Sequence, residues 1–256
     1  MGYKPYPEYQ DSGIPWLGKV PRGWGVRRLR DVVELRISNV DKHHREHEQP
    51  VRLCNYVDVY KHERIHASMN FMRATASPEE IKKFRLEKHD VIITKDSETW
   101  DDIGVPALVE SISPDVLCGY HLAILRPRKE QIEGPYLLRA IQSKPVSYQF
   151  HVEAKGITRY GLGQHAIKSA LLPLPPLQEQ RQIARFLDVK MDQIQTARRK
   201  IRREIELLQE YRTRLIADVV TGKLDVRGLD VPAAETWDKN PIPNPAPDRN
   251  PVEPED

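Results

Sequence analysis

From Gln178 to Thr221 the chain contains neither proline nor glycine, and this run restricts the fold more than any other stretch. Proline removes a backbone donor, and glycine costs about 1 kcal/mol in a helix interior. A run free of both, with Glu179 suited to the positive end of the helix dipole, predicts one helix about 66 Å long at roughly 1.5 Å per residue. Pro175 and Pro176 stop whatever precedes it, and Gly222 suits the first position beyond its end. Leu187, Ile194, Ile201, Leu208 and Leu215 recur every seven residues, the seam of a coiled coil. Ile183, Ala197 and Tyr211 flank that seam on one side, and Met191, Ile205 and Val219 on the other. The pattern reverses onto itself about Ile201, so an antiparallel pair of identical helices would bring matching apolar layers together. One amphipathic helix lying on its own domain is the other reading.

The rest of the chain divides around this rod. Residues 1–177 hold the globular part, 178–224 the helix, and 225–256 a tail in which seven of the 21 prolines fall after residue 225. That tail carries three basic and eight acidic side chains, so the net +3 of the whole chain becomes +8 over residues 1–224. A segment so poor in apolar groups is expected to be disordered, whereas the basic body favours a polyanionic partner. Residues 1–24, rich in turns and rings, are expected to wrap a domain surface through Tyr3, Tyr6, Tyr9, Trp16 and Trp24 rather than form regular structure. Strands are expected at 32–37, 51–60, 90–95, 105–110 and 120–127. SPEEIKKFR (77–85) starts with a cap and an acidic turn and reads as a helix; 134–146 reads as another, ended by Pro145. The class is α+β.

Composition narrows the function classes. No stretch approaches a membrane span, and MGYKPYPEYQ lacks the apolar core of a signal peptide. Cys54 and Cys118, far apart and outside any CxxC, are expected to be buried free thiols in a reducing cytoplasm. There is no glycine-rich nucleotide loop and no GxxxxGK[ST], so no cofactor is expected.

Two stretches carry a family resemblance. DSGIPWLGKVPRGWGVRRLRDV (11–32) and GITRYGLGQHAIKSALLPLPPLQEQRQIARFLD (156–188), continued by VVTGKLDVRG (219–228), resemble the specificity subunits of type I restriction–modification enzymes. KHDVIITKDSE (88–98), HLAILRP (121–127) and PYLLRAIQS (135–143) fit the looser pattern of a target recognition domain. The resemblance implies a non-catalytic subunit that binds double-stranded DNA and docks methyltransferase subunits, and through them the restriction subunit. Usual members contain two recognition domains and two conserved helices paired antiparallel within one chain; this sequence shows one of each. It is similar to a half-length subunit in which a second copy replaces the internal duplication, or to a shortened remnant. A standalone coiled-coil DNA-binding regulator, a structural interaction protein and a self-contained nuclease are the alternatives.

A search of the residues for chemistry finds little that is catalytic. Asp90, Lys95, Asp96 and Glu98 lie near one another as a Mg²⁺-dependent nuclease requires, but they fit a strand followed by a solvated loop. His43, His44 and His47 with Glu46 and Glu48, and His62 with His66, suggest a metal site; DKHHREHEQP fits a polar surface loop better, and no metal is expected. DNA readout remains. Segment 155–168 combines Lys155, Thr158, Arg159, Tyr160, Gln164, His165 and Lys168 with three glycines, and Arg and Gln can each pair with a base edge through two hydrogen bonds. Arg159 and Tyr160 equally suit a brace at the start of the long helix. Lys95, Ser97 and Thr99 offer local base contacts, amid four acids that argue against broad phosphate contact.

Overall fold

A five-stranded mixed sheet carries the fold of the computed structural model, which describes residues 4–229. The acid- and proline-rich segment expected to be disordered lies outside the described residues from residue 230 onward. The chain begins with β1 (Tyr9–Asp11), β2 (Lys19–Pro21), β3 (Gly25–Arg28), α1 (Leu29–Val32) and β4 (Val33–Ile37). Then come β5 (Gln49–Cys54), α2 (Tyr56–Lys61), β6 (Arg64–Ile65), β7 (Met72–Ala76), α3 (Pro78–Phe84), β8 (Val91–Thr94) and β9 (Asp96–Ser97). The order closes with β10 (Pro106–Val109), β11 (Val116–Cys118), β12 (Leu122–Pro127), α4 (Gly134–Gln142), α5 (Lys144–Glu153), β13 (Tyr160–Gly161), α6 (Gln164–Ser169), β14 (Leu171–Leu174) and α7 (Leu177–Val220). Two compact units result, Met1–Gln193 and Ile194–Asp256.

The main sheet runs β4-β12-β8-β10-β6, antiparallel except for the β10–β6 pair. Its central strands are apolar at nearly every position, because both faces are covered. Val91 and Ile93 of β8, Leu108 of β10, and Ala123 and Leu125 of β12 face one core, shared with α4, α5 and α6. Ile92, Ala107, Val109, Leu122 and Ile124 face the other, with Val59, Ile65, Phe71 and both cysteines. Burial pushes both thiols well up from the ordinary range, and both are free. A second sheet, β11-β5-β7, packs Val51, Leu53 and Ala74 against Phe84 of α3.

Several expected elements change. The strand expected over 51–60 stops at Cys54, because Asn55 and Asp58 form a capping box: the Asn55 N–H donates to the Asp58 carboxylate at 2.8 Å and helix α2 begins. Pro145 opens α5 instead of ending α4; in a first turn its missing N–H has no partner to lose. The amino-terminal segment does hold regular structure, the β1–β2 hairpin, besides the expected ring contacts of Tyr6 on Trp24 and Tyr9. The helix expected at 77–85 is α3, with Ser77 and Glu80 capping each other.

The sequence LPLPPLQEQ (172–180) is held at both ends by specific contacts. Leu172 is fully buried, and its strand β14 pairs antiparallel with β3. The Pro173 carbonyl accepts from the Tyr136 hydroxyl at 2.8 Å. Glu179 accepts from the Tyr6 hydroxyl at 2.7 Å and the Trp24 indole at 3.1 Å; burial and that carboxylate push the Tyr6 hydroxyl up to about 12. Gln180, wholly buried, accepts from the Glu133 N–H at 2.9 Å and donates to the carbonyls of Pro175 at 2.8 Å and Gln131 at 3.0 Å. A turn further on, Ala184 enters the core, and Asp188 accepts from Arg64 and from the nearly buried Arg139, both at 2.7 Å. Along the same helix Ile194, Ala197, Ile201, Ile205, Leu208, Tyr211 and Leu215 are exposed, whereas Leu187, Met191 and Val219 are half-buried and Ile183 packs on the core.

Gln180→Leu keeps the volume and strands one N–H and two carbonyls in a dry site. At about 1–3 kcal/mol for each buried group left unpaired, denaturant unfolding should show a loss of at least about 2 kcal/mol. An unchanged midpoint would remove the amide from its bracing role.

Candidate nucleic-acid interface

Two loops far apart in sequence meet beyond the end of β8. β9 and β13 pair antiparallel, Ser97 opposite Tyr160 and Asp96 opposite Gly161. The Leu162 N–H donates to the Lys95 carbonyl at 2.8 Å, and Lys155 and Gly161 exchange backbone hydrogen bonds at 2.9 and 3.1 Å. This closes residues 155–161 into a tight loop. Gly156 is needed there by proximity: a Cβ would sit 1.9 Å from the Arg159 carbonyl oxygen. On the loop Lys155, Ile157, Thr158 and Arg159 are exposed and Tyr160 is half-buried. Gln164 and His165 open α6 on its exposed side, Lys168 is half-exposed, and Ala166 and Ile167 turn inward.

The structure thus brings together the segments of Lys95–Thr99 and Lys155–Gly161, but it gives their side chains different work. Ser97 is buried within the ribbon, its Oγ accepting from the Thr99 N–H at 3.4 Å, and Thr99 lies exposed past it. Lys95 points inward to Asp96 at 2.9 Å, with its Nζ 4.8 Å from the Tyr120 ring centre. By contrast, the side chains of Lys155, Thr158, Arg159, Tyr160, Gln164, His165 and Lys168 make no hydrogen bond or ion pair among the described residues. Sequence reasoning passes over Tyr120 and His121. Their only signal is a position directly before the apolar run of β12, yet His121 Nδ1 lies 2.8 Å from Asp96 Oδ2 and the Tyr120 ring packs edge-on against the imidazole.

Two of the four acids of this face are matched from within, and Glu98 and Asp101 are exposed. Asp96 takes Lys95 and His121; Asp102 accepts from the Tyr60 hydroxyl at 2.6 Å and, with burial, pushes that hydroxyl up to about 12. Asp90 is buried at the other end of β8 and held by Arg126 at 2.8 Å, so the carboxylates of residues 90–98 do not share a site. His43, His44 and His47 are exposed, and among the described residues no group of three His, Cys, Asp or Glu gathers as a metal would require.

The family model for the type I restriction modification DNA specificity domain matches residues 21–207, and the chain belongs to this family. It is 26% identical over 206 residues to the type I restriction enzyme MjaX specificity subunit of Methanocaldococcus jannaschii, covering 80% of this chain and 47% of that one. It is 31% identical over 80 residues to the EcoBI specificity subunit of Escherichia coli, covering 31% of this chain and 17% of that one. The chain therefore spans about half the length, or less, of these curated relatives. The fold is shared with a structure solved for complex assembly in the type I R-M system, with a TM-score of 0.57 at 17% identity, over 78% of this chain and 46% of that one. It is shared too with the HsdS subunit from Thermoanaerobacter tengcongensis, with a TM-score of 0.51 at 18% identity, over 83% and 52% respectively.

Gly156→Ala should open the 155–161 loop while sparing the body, since the strain of about 1–3 kcal/mol falls on an exposed turn. Trypsin under native conditions should cut faster after Lys155 and Arg159. Equal cleavage of the two proteins would show that the close approach at Gly156 is not what closes the loop.

Proposed function

We propose that this chain reads a short DNA sequence as the specificity subunit of a type I restriction–modification assembly, one half-site per chain. The ribbon of β9 and β13 carries this reading: it gathers two loops onto one exposed strip. The side chains of Arg159, Lys155 and Gln164 on that strip make no hydrogen bond or ion pair among the described residues, and Arg and Gln are side chains that pair with base edges. Phosphate contact from a basic body fixes position on the duplex; base contact selects sequence.

The partners follow from the family and from the helix. Methyltransferase subunits dock on the chain, and the restriction subunit joins through them. A second copy of the chain covers the seam of α7. What supports this is the exposure of Ile201, Leu208 and Tyr211, 56%, 66% and 63%, on a stripe that reverses about Ile201. An apolar row of this length left in water is a strong drive to associate.

Two identical readers related by a two-fold axis impose their symmetry on DNA. The recognised motif should be two inverted copies of one half-site, their centres about 10–11 bp apart, with unread base pairs between. Methylation-sensitive sequencing of DNA from cells carrying the system reveals the motif. An asymmetric motif with this chain as the sole specificity subunit overturns the paired arrangement. Arg159→Ala should relax preference at one position per half-site by about 1–3 kcal/mol if the guanidinium reads a guanine. An even loss across sequences, with a shallower salt slope, would assign it to phosphate instead.

Ile201→Glu places two carboxylates near the axis of the paired seam and should cost about 3–5 kcal/mol of association. Sedimentation should find the native chain dimeric and the variant monomeric. A native chain that is monomeric with and without its methyltransferase partner removes the pairing.

A further inference from the structure

Beyond the loop residues, one side chain at this face is held in a defined orientation. Asp96 Oδ2 accepts from His121 Nδ1 at 2.8 Å and from Lys95 Nζ at 2.9 Å. Burial works to raise the Asp96 carboxyl, but the hydrogen bonds from His121 and Lys95 outweigh it and hold the group below its ordinary range. Asp96 is therefore a carboxylate at neutral pH and has no proton to give, so the proton in the 2.8 Å contact belongs to Nδ1. In a neutral imidazole the other nitrogen is then a bare acceptor. The Lys95 N–H also donates to the His121 carbonyl at 3.0 Å, and the Tyr120 ring stands edge-on to the imidazole with centroids 4.5 Å apart. These contacts fix the ring's place. A third of the His121 side chain is exposed, and Nε2 makes no hydrogen bond among the described residues.

The same carboxylate ties His121 to the ribbon. Asp96 is the ladder partner of Gly161, and a Cβ on Gly161 would lie 3.4 Å from Asp96 Oδ1. His121 therefore belongs to the strip that carries Tyr160 and the 155–161 loop. Among groups in the major groove, donors are the amino groups of adenine N6 and cytosine N4; guanine and the thymine carbonyl present acceptors.

We propose that His121 reads one exocyclic base amino group, adenine N6 or cytosine N4, through Nε2, with Asp96 the positioning residue that keeps this nitrogen an acceptor. The inference rests on the DNA-reading function proposed above and names a contact within it. Lys95, spent on Asp96 and Tyr120, serves the same arrangement and leaves base reading to its neighbours.

The full chain, native and His121→Ala, is used to select from a pool of random-sequence duplexes. Native protein should enrich one base pair per half-site that His121→Ala relaxes by about tenfold or more, leaving other positions intact. His121→Gln, which keeps an accepting oxygen and guards against a folding defect in the alanine variant, should retain that preference in part. A selected duplex carrying purine for adenine, or 2-pyrimidinone for cytosine, at that position should bind the native chain more weakly and leave His121→Ala unaffected. Unchanged binding of the native chain to that analogue duplex, which lacks the base amino group, would mean that Nε2 meets no amino donor there, and would overturn the inference. So would an even loss across all sequences with a shallower salt slope, which marks a phosphate contact, and so would an unchanged selection. A native chain that enriches no sequence fails the DNA-reading function itself, which separates that failure from a wrong assignment of His121.

Discussion

The side-chain amide of Gln180 holds the first turns of α7 to the rest of the globular unit, and much else in the fold is arranged to permit it. An amide wholly removed from water must find a partner for each polar atom, and here the partners are backbone groups of Gln131, Glu133 and Pro175. Those three groups come from the start of α4 and from the proline pair ahead of α7. The helix therefore cannot rotate by one residue without orphaning all of them. Glu179 adds a second lock one residue earlier, gripped by Tyr6 and Trp24 of the amino-terminal segment. The stretches 11–32 and 156–188, far apart in the chain, thus form one physical joint.

A third lock lies further along. Arg139 is nearly buried and faces both Asp188 and Glu63, while Arg64 reaches Asp188 and Glu110. Burying charge is costly unless each member is matched, and removing one leaves the others stranded. Such a network adds little to net stability, but it penalises any other docking of the helix. Packing at Ala184 and Ile183 supplies the apolar part of the same joint.

Much of this architecture was legible in the chain, and the limits have physical causes. The strands of the main sheet announce themselves because both faces are buried, so that VIIT and LAIL need no alternation. The α3 cap and the uninterrupted run of α7 are local signals and were readable as such. The 51–60 segment misled because valine and tyrosine favour strands, whereas two short polar side chains, Asn55 and Asp58, decide the backbone there. At the interface, loop membership was legible from the glycines and the basic residues. The pairing of β9 with β13 and the Asp96–His121 contact were not, since each joins residues with no periodicity between them.

The strip of β9 and β13 hangs from the frame by a two-residue ladder, and its outward side chains take no part in any core. Surface changes at such positions usually alter stability by no more than about 0.5 kcal/mol. In the function proposed above, binding preference is thereby uncoupled from folding, and Arg159, Thr158 or Gln164 can drift to other residues without endangering the chain. His121 cannot drift so freely. Its replacement leaves a half-buried carboxylate with Lys95 as its one remaining side-chain donor, so under the proposed contact a new letter at that position favours a change at Asp96 too, and the alphabet open to such a site is written partly in pairs.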